Sequence, residues 1–146
     1  MFTSVSMRSA SPFRPAGGNA YKQVEAETAV FSANPHQLVT LLFDGLRQSL
    51  FKAKGAMQCN DFQTKGQAIG RAVRILEEGL KAGLDLKQGG ELALNLKTVY
   101  DICIFKLTEA NLRNNVALLD EVSSLIHPIA DGWAQIKGSA SASFYQ

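Results

Sequence analysis

The sequence contains little of what catalytic and metal-binding sites require. It has two cysteines and two histidines in 146 residues, and Cys59 and Cys103 are too far apart for a CxxC pair. It also lacks a phosphate-binding glycine loop, a nucleophile elbow and a zinc-protease motif. These absences argue against an enzyme, against a structural zinc site and against a bound cofactor. They favour reduced thiols in a cytosolic protein.

Charge and long apolar runs are limited as well. The formal net charge is +2, and the seven bases between residues 45 and 81, against three acids, are spread over two helices, as on a solvated helix face. No apolar run approaches the roughly 18 residues of a membrane span. The Ser- and Pro-rich residues 1–19 lack the apolar block of a secretory signal. We therefore expect a cytoplasmic protein that neither binds nucleic acid nor inserts into a membrane.

What the sequence does contain is helical periodicity. Apolar residues spaced three and four apart predict a short helix over about 20–31 and long helices over about 35–60, 61–82, 89–113 and 115–137. No strand-like alternation occurs, and long helices with short connections pack antiparallel to their neighbours. We therefore predict an all-α fold, an antiparallel up-down four-helix bundle with a short N-terminal capping helix. It would occupy residues 20–137, between a flexible N-terminal tail over 1–19 and a flexible C-terminal tail over 138–146.

The predicted boundaries rest on residues that begin or end helices. Asn34 and Asp61 suit N-caps, and Pro35 suits a first helical position. The pair at 114–115 suits a C-cap followed by an N-cap. Pro128 lies inside the last helix, where the missing N–H should bend it.

Two helices carry more apolar residues than a single core-facing stripe requires. The additional residues are Val39, Phe43, Leu46 and Leu50 on one helix and Ile102, Phe105 and Leu112 on another. They either complete the core or line a groove that accepts an amphipathic helix, and periodicity alone favours neither. Four polar residues beside these stripes are either half-exposed surface or the rim of such a groove: Asp44, Asn95, Asp101 and Asn111.

The two histidines leave a second class of function open, a histidine phosphotransfer bundle. His36 falls in the first turn of a helix, and His127 precedes a proline within one. A phosphotransfer histidine is expected on a regular, exposed helix, so this alternative fits less well. Acid-labile phosphorylation would identify it.

Four blocks of the sequence resemble the flagellar export chaperone family FliS, in the family's order and spacing. They are AYKQVEAETAV (20–30), SANPHQLVTLLFDGL (32–46), GLDLKQGGELALNLKTVYD (83–101) and LTEANLRNN (107–115). The similarity spans about residues 20–136. The NP.QL...LFDG and GGE.A.NL...YD blocks are specific in combination, although neither is specific alone.

The resemblance implies a cytosolic bacterial chaperone with this fold and no cofactor. Members of the family bind the disordered C-terminal segment of flagellin, prevent its premature polymerisation and deliver it to the flagellar type III export apparatus. Flagellin and an export gate component are the implied partners, with an anti-sigma factor or a co-chaperone as further candidates. A helical adaptor for another export component or regulator remains the alternative within this setting.

The resemblance also assigns roles to particular residues. Tyr21 matches a tyrosine that the family associates with a cap over the client groove and with docking at the export gate, and Val24 lies on the same side of that helix. The two additional apolar lines become the expected client groove, and the four polar residues become its rim. Where many relatives have a basic pair, this sequence has ICIFK over 102–106, which favours an apolar client contact at Phe105.

Overall fold

The computed structural model describes residues 34–136 and residue 145. The helices are α1 (Pro35–Gln58), α2 (Phe62–Arg74), α3 (Gly90–Arg113) and α4 (Val116–Gln135), and a π-helical segment (Ile75–Lys81) continues α2. The described part of the chain contains no β-strand, so the predicted all-α fold with four long helices is confirmed. The predicted short helix over 20–31 and the predicted tail over 1–19 lie outside the described residues.

Each helix packs against two others around a common core. The neighbouring pairs are α1 with α2, α2 and its π segment with α3, α3 with α4, and α4 with α1. Connections of two or three residues make the pairs α1–α2 and α3–α4 antiparallel. Contacts that fix the other two pairs are His36 with Trp133, Lys54 with Asp120, Lys65 with Asn111 and Lys81 with Asp101. Because the residue numbers rise on one helix as they fall on the other, these pairs are antiparallel too.

Large apolar side chains from all four helices fill the space between them. The largest fully buried ones include Leu46, Leu76, Tyr100, Leu107, Leu119 and Ile126. Burying one such side chain contributes about 1.5–3 kcal/mol to stability. Cys103 is part of this core, and burial raises the pKa of its thiol to about 11.

Side-chain caps start two of the helices where the sequence predicts them. The Asp61 carboxylate accepts a hydrogen bond from the Thr64 amide at 3.1 Å. The Asn115 side chain accepts one from the Ala117 amide at 2.9 Å. Asn114 ends α3 with a φ of 53°, in the left-handed region that asparagine tolerates. Pro128 lies inside α4, which continues across it to Gln135.

Two features differ from the prediction. The helix predicted over 61–82 is continuous, but its last seven residues are π-helical, and the Ala82 amide bonds to the Glu77 carbonyl at 3.2 Å. Tyr145 lies in the range predicted to be a flexible tail, yet it is only 7% exposed. Its backbone pairs with that of Leu84, and its ring contacts Trp133, so at this residue the tail prediction is wrong.

Candidate functional site

The α1 residues predicted to line a groove lie in the core. Val39, Phe43, Leu46 and Leu50 are between 0% and 4% exposed. The physical reason is that α1 packs against both α2 and α4, so it needs two apolar lines. A line of small residues faces α2, where the Arg71 guanidinium donates hydrogen bonds to the Gly45 carbonyl and the Ser49 hydroxyl. In this structure the bulky line is therefore packing rather than open surface, and Leu50 also lines a groove.

The α3 residues predicted for the same groove are exposed. Ile102, Phe105 and Leu112 are 42%, 66% and 76% exposed, and Leu94 continues their line toward the start of the helix. We call these four residues the α3 stripe. It faces away from the core and extends about 27 Å, at 1.5 Å per residue. Thr98 and Thr108 turn their hydroxyls back to backbone carbonyls on the same helix, which leaves this face with fewer free donors.

An open groove lies on the surface between α1 and α4, which are in contact beneath it. It has a volume of about 650 Å³, and Leu50, Leu119 and Ile126 form its apolar floor. Phe51, which is 82% exposed, lies at its edge. Two ion pairs connect the helices along it, Arg47 with Asp131 at 3.2 Å and Lys54 with Asp120 at 2.9 Å. We call this feature the α1–α4 groove. The sequence analysis did not identify Phe51, although it follows the predicted groove residue Leu50 directly.

The structure does not bring the four predicted rim residues together. Asp101 accepts hydrogen bonds from Lys81 at 2.8 Å and from Lys97 at 3.1 Å. Its carboxylate therefore connects the π segment to α3, and the bond from Lys81 holds the pKa of Asp101 below its usual value. Asn95 precedes Asp101 by six residues, which is a rotation of about 240° around the helix, so the two residues lie on different sides of α3.

The other two rim residues have separate surroundings. The backbone carbonyl of Asn111 accepts a hydrogen bond from the Lys65 ammonium at 3.0 Å. That contact stabilises the end of α3, where a positive charge is favourable. Asp44 is exposed on α1. Tyr21 and Val24, the predicted cap and docking residues, lie outside the described residues.

Both histidines have close partners. The His36 ring stacks on Trp133 with centroids 4.9 Å apart, and its Nε2–H donates to the Trp133 carbonyl at 3.0 Å. His127 is exposed on α4, with Nε2 3.0 Å from the Asp131 carboxylate. Over residues 34–136 and 145, no group of three potential ligands is placed to hold a metal ion. None of the described helices is long and apolar enough to cross a membrane.

Comparison with known proteins identifies the family of this chain. Residues 17–140 match the family described as flagellar protein FliS. The chain belongs to the FliS family. It is 45% identical to the flagellar secretion chaperone FliS of Salmonella typhimurium, over 88% of this chain and 96% of that protein. It is 43% identical to the protein of the same name from Escherichia coli, over 82% of this chain and 88% of that protein.

A third relative agrees. The flagellar secretion chaperone FliSB of Pseudomonas aeruginosa is 45% identical, over 77% of this chain and 89% of that protein. The resemblance of the four sequence blocks to FliS is thus confirmed. The names of these FliS proteins describe chaperones and not enzymes, in agreement with a sequence that lacks catalytic motifs.

Proposed function

We propose that this FliS-family protein is a cytosolic export chaperone for flagellin. It binds the C-terminal segment of flagellin, prevents premature polymerisation and delivers the subunit to the flagellar type III export apparatus. Two lines of evidence support the proposal. The relatives at 43–45% identity are named flagellar secretion chaperones. The observation that carries it within this structure is the exposed α3 stripe, which gives the bundle an apolar face beyond its core.

The stripe suits an amphipathic helix. Its length of about 27 Å corresponds to roughly five helical turns of a client. Apolar residues at i, i+3, i+4 and i+7 of such a client would cover Phe105 and Leu112 and remove them from water. Burial yields about 25 cal/mol per Å² of apolar surface, from which the ordering of a disordered client must be subtracted. The resulting moderate affinity suits a chaperone that releases its client for export.

The α1–α4 groove provides a second surface for the same client. Its floor is apolar, and its rims carry charged residues of both signs, so it accepts an apolar side of a helix without selecting one charge. In this proposal Asp44, Asn95, Asp101 and Asn111 contact the client at separate points rather than along one rim. Tyr21 and Val24 keep the roles implied by the resemblance, a cap over the client surface and docking at the export gate.

Calorimetric titration with a peptide from the C-terminus of a flagellin tests the proposal. We expect 1:1 binding, a gain of helicity by circular dichroism and a negative heat-capacity change. Phe105→Glu should weaken binding at least tenfold, because it places a charge in the middle of the apolar contact. Leu86→Glu is the matched control, since it puts the same charge on an exposed leucine of the α2–α3 connection, and it should bind like the unmodified protein.

Three outcomes separate the possibilities. Lack of binding by the unmodified protein at tens of micromolar would contradict the client assignment. Equal binding by both variants would exclude the α3 stripe as the contact surface while keeping flagellin as the client. Binding to another export component alone would favour the helical adaptor.

A further inference from the structure

Tyr145 occupies a site built from three separate parts of the chain. Its hydroxyl lies 2.7 Å from that of Tyr100 on α3, and its ring meets the Trp133 ring of α4 edge-on, with centroids 5.2 Å apart. Its backbone forms an antiparallel bridge with Leu84, in the connection between the π segment and α3. We call the surroundings of this side chain, formed by Gly83, Leu84, Tyr100 and Trp133, the Tyr145 site.

The site fits a phenol in shape and in polarity. A Cβ atom on Gly83 would lie 3.3 Å from the Tyr145 ring, so the glycine leaves room for the ring to approach the backbone. Tyr100 is fully buried, and its hydroxyl bonds to that of Tyr145. A buried hydroxyl without a partner is costly, so a phenol fits better than a phenyl ring here. Edge-to-face packing with Trp133 adds to the ring contact.

Tyr145 reaches this site from outside the helices. Eight residues, 137–144, separate it from Ile136, which follows the end of α4. The helices pack against one another through their own buried residues, and Tyr145 adds a contact between α3, α4 and the α2–α3 connection. The side chain is therefore held as a bound ligand would be, by ring contacts, one hydroxyl pair and one backbone bridge.

We infer that the Tyr145 site is a phenol-binding site whose ligand is Tyr145 of the same chain, and that the pair forms a reversible latch at this end of the bundle. When closed, the latch connects the end of α4 to the α2–α3 connection. When open, it exposes one side of Trp133, whose ring also stacks on His36 at the start of α1. The inference does not depend on the identity of the client.

The latch has a measurable strength. A ligand eight residues from the end of the bundle on the same chain has an effective concentration on the order of 1 mM. A latch that is closed about nine times in ten therefore requires a dissociation constant of about 0.1 mM or tighter for the same segment supplied as a separate peptide.

The experiment uses the full chain with Tyr145→Ala and a peptide of residues 138–146, GSASASFYQ. Trp133 is the one tryptophan of the sequence, so its fluorescence and its quenching by acrylamide report on the site directly. We expect quenching to rise in the variant and to return to the original level as the peptide saturates the site. The peptide with Tyr145→Ala should not bind, and the peptide with Tyr145→Phe should bind about fivefold more weakly, the value of one hydrogen bond.

A second measurement covers the case in which Tyr145→Ala unfolds the protein. Tyr145→Phe, Tyr100→Phe and the double variant form a cycle that measures the hydroxyl pair in the folded chain. We expect a coupling of about fivefold in the unfolding equilibrium constant. Unchanged Trp133 quenching in Tyr145→Ala, no peptide binding at about 1 mM, or no coupling in the cycle would each overturn the inference.

Discussion

At the scale of single residues, Phe43 and Phe105 place the same side chain in opposite environments. Phe43 is 3% exposed within the core, and Phe105 is 66% exposed on the α3 stripe. A buried phenylalanine stabilises the fold, whereas an exposed one leaves about the same apolar surface in water in the folded and unfolded chain. The two residues therefore separate the demands of folding from those of client binding.

This contrast predicts different effects on stability. Phe43→Ala should lower the free energy of unfolding by about 3–5 kcal/mol, because it removes buried surface and leaves a cavity. Phe105→Ala should change it by less than about 0.5 kcal/mol, as substitutions at exposed positions usually do. Urea denaturation followed by circular dichroism measures both values. Phe51→Ala, at another exposed phenylalanine, is the control and should behave like Phe105→Ala. A similar loss for Phe43→Ala and Phe105→Ala would contradict the assigned environments.

Sequence patterns predicted some residue environments and missed others for a definite reason. Capping chemistry is local, so Asp61 and Asn115 were correctly predicted as N-caps. The environment of a second apolar line depends on whether another helix covers it, which periodicity does not state. The bulky line of α1 is covered, and the outer line of α3 is exposed.

At the scale of elements, the π segment packs against both α1 and α3. Leu76 and Leu80 stay buried along it, and Lys81 bonds to Asp101 on α3. At Gly79 a Cβ atom would lie 2.9 Å from Leu42 Cδ2 on α1. The absence of a side chain at Gly79 is therefore what allows α1 to approach this segment closely.

Two glycine substitutions test that close approach. Gly66→Ala in α2 should raise the free energy of unfolding by about 1 kcal/mol, because alanine favours a helix and a Cβ atom there meets nothing within 4 Å. Gly79→Ala should lack this gain, because the new methyl group must displace the end of Leu42. Thermal or urea unfolding of both variants measures the difference. An equal gain at both positions would contradict the close contact with α1.

The elements also show where sequence-based prediction ends. Four helices and their approximate boundaries follow from apolar spacing and caps, and the structure confirms them. Apolar spacing and caps do not specify where a helix becomes π-helical, and the Tyr145 hydroxyl pairs with that of Tyr100, 45 positions away. Local composition in the Ser-rich stretch around residue 140 contains no sign of that partner.

At the scale of the whole molecule, ion pairs engage about half of the charged side chains over residues 34–136. Neighbouring helices are connected by ion pairs: Arg47–Asp131, Lys54–Asp120, Lys81–Asp101 and Lys106–Glu121. Pairs as exposed as these contribute about 0–1 kcal/mol each. Asp101, which lies between Leu94 and Phe105 on the face of the α3 stripe, is itself paired with Lys81 and Lys97. The proposed recognition of a client therefore relies on apolar burial more than on charge.

Client affinity should therefore depend little on salt. One exposed ion pair is worth at most about 1 kcal/mol, or about fivefold in affinity. The segment ICIFK over 102–106 presents Phe105 where a basic pair would attract an acidic client. We therefore expect the client affinity to change by less than about fivefold between 0.05 and 0.5 M NaCl. Over this range the screening length falls from roughly 14 to 4 Å. Calorimetry at both concentrations measures the affinity. Phe105→Lys, which introduces a positive charge at that place, is the comparison and should gain a clear salt dependence with an acidic client segment. A tenfold or greater weakening of the unmodified protein by salt would show that charge, rather than the α3 stripe, dominates binding.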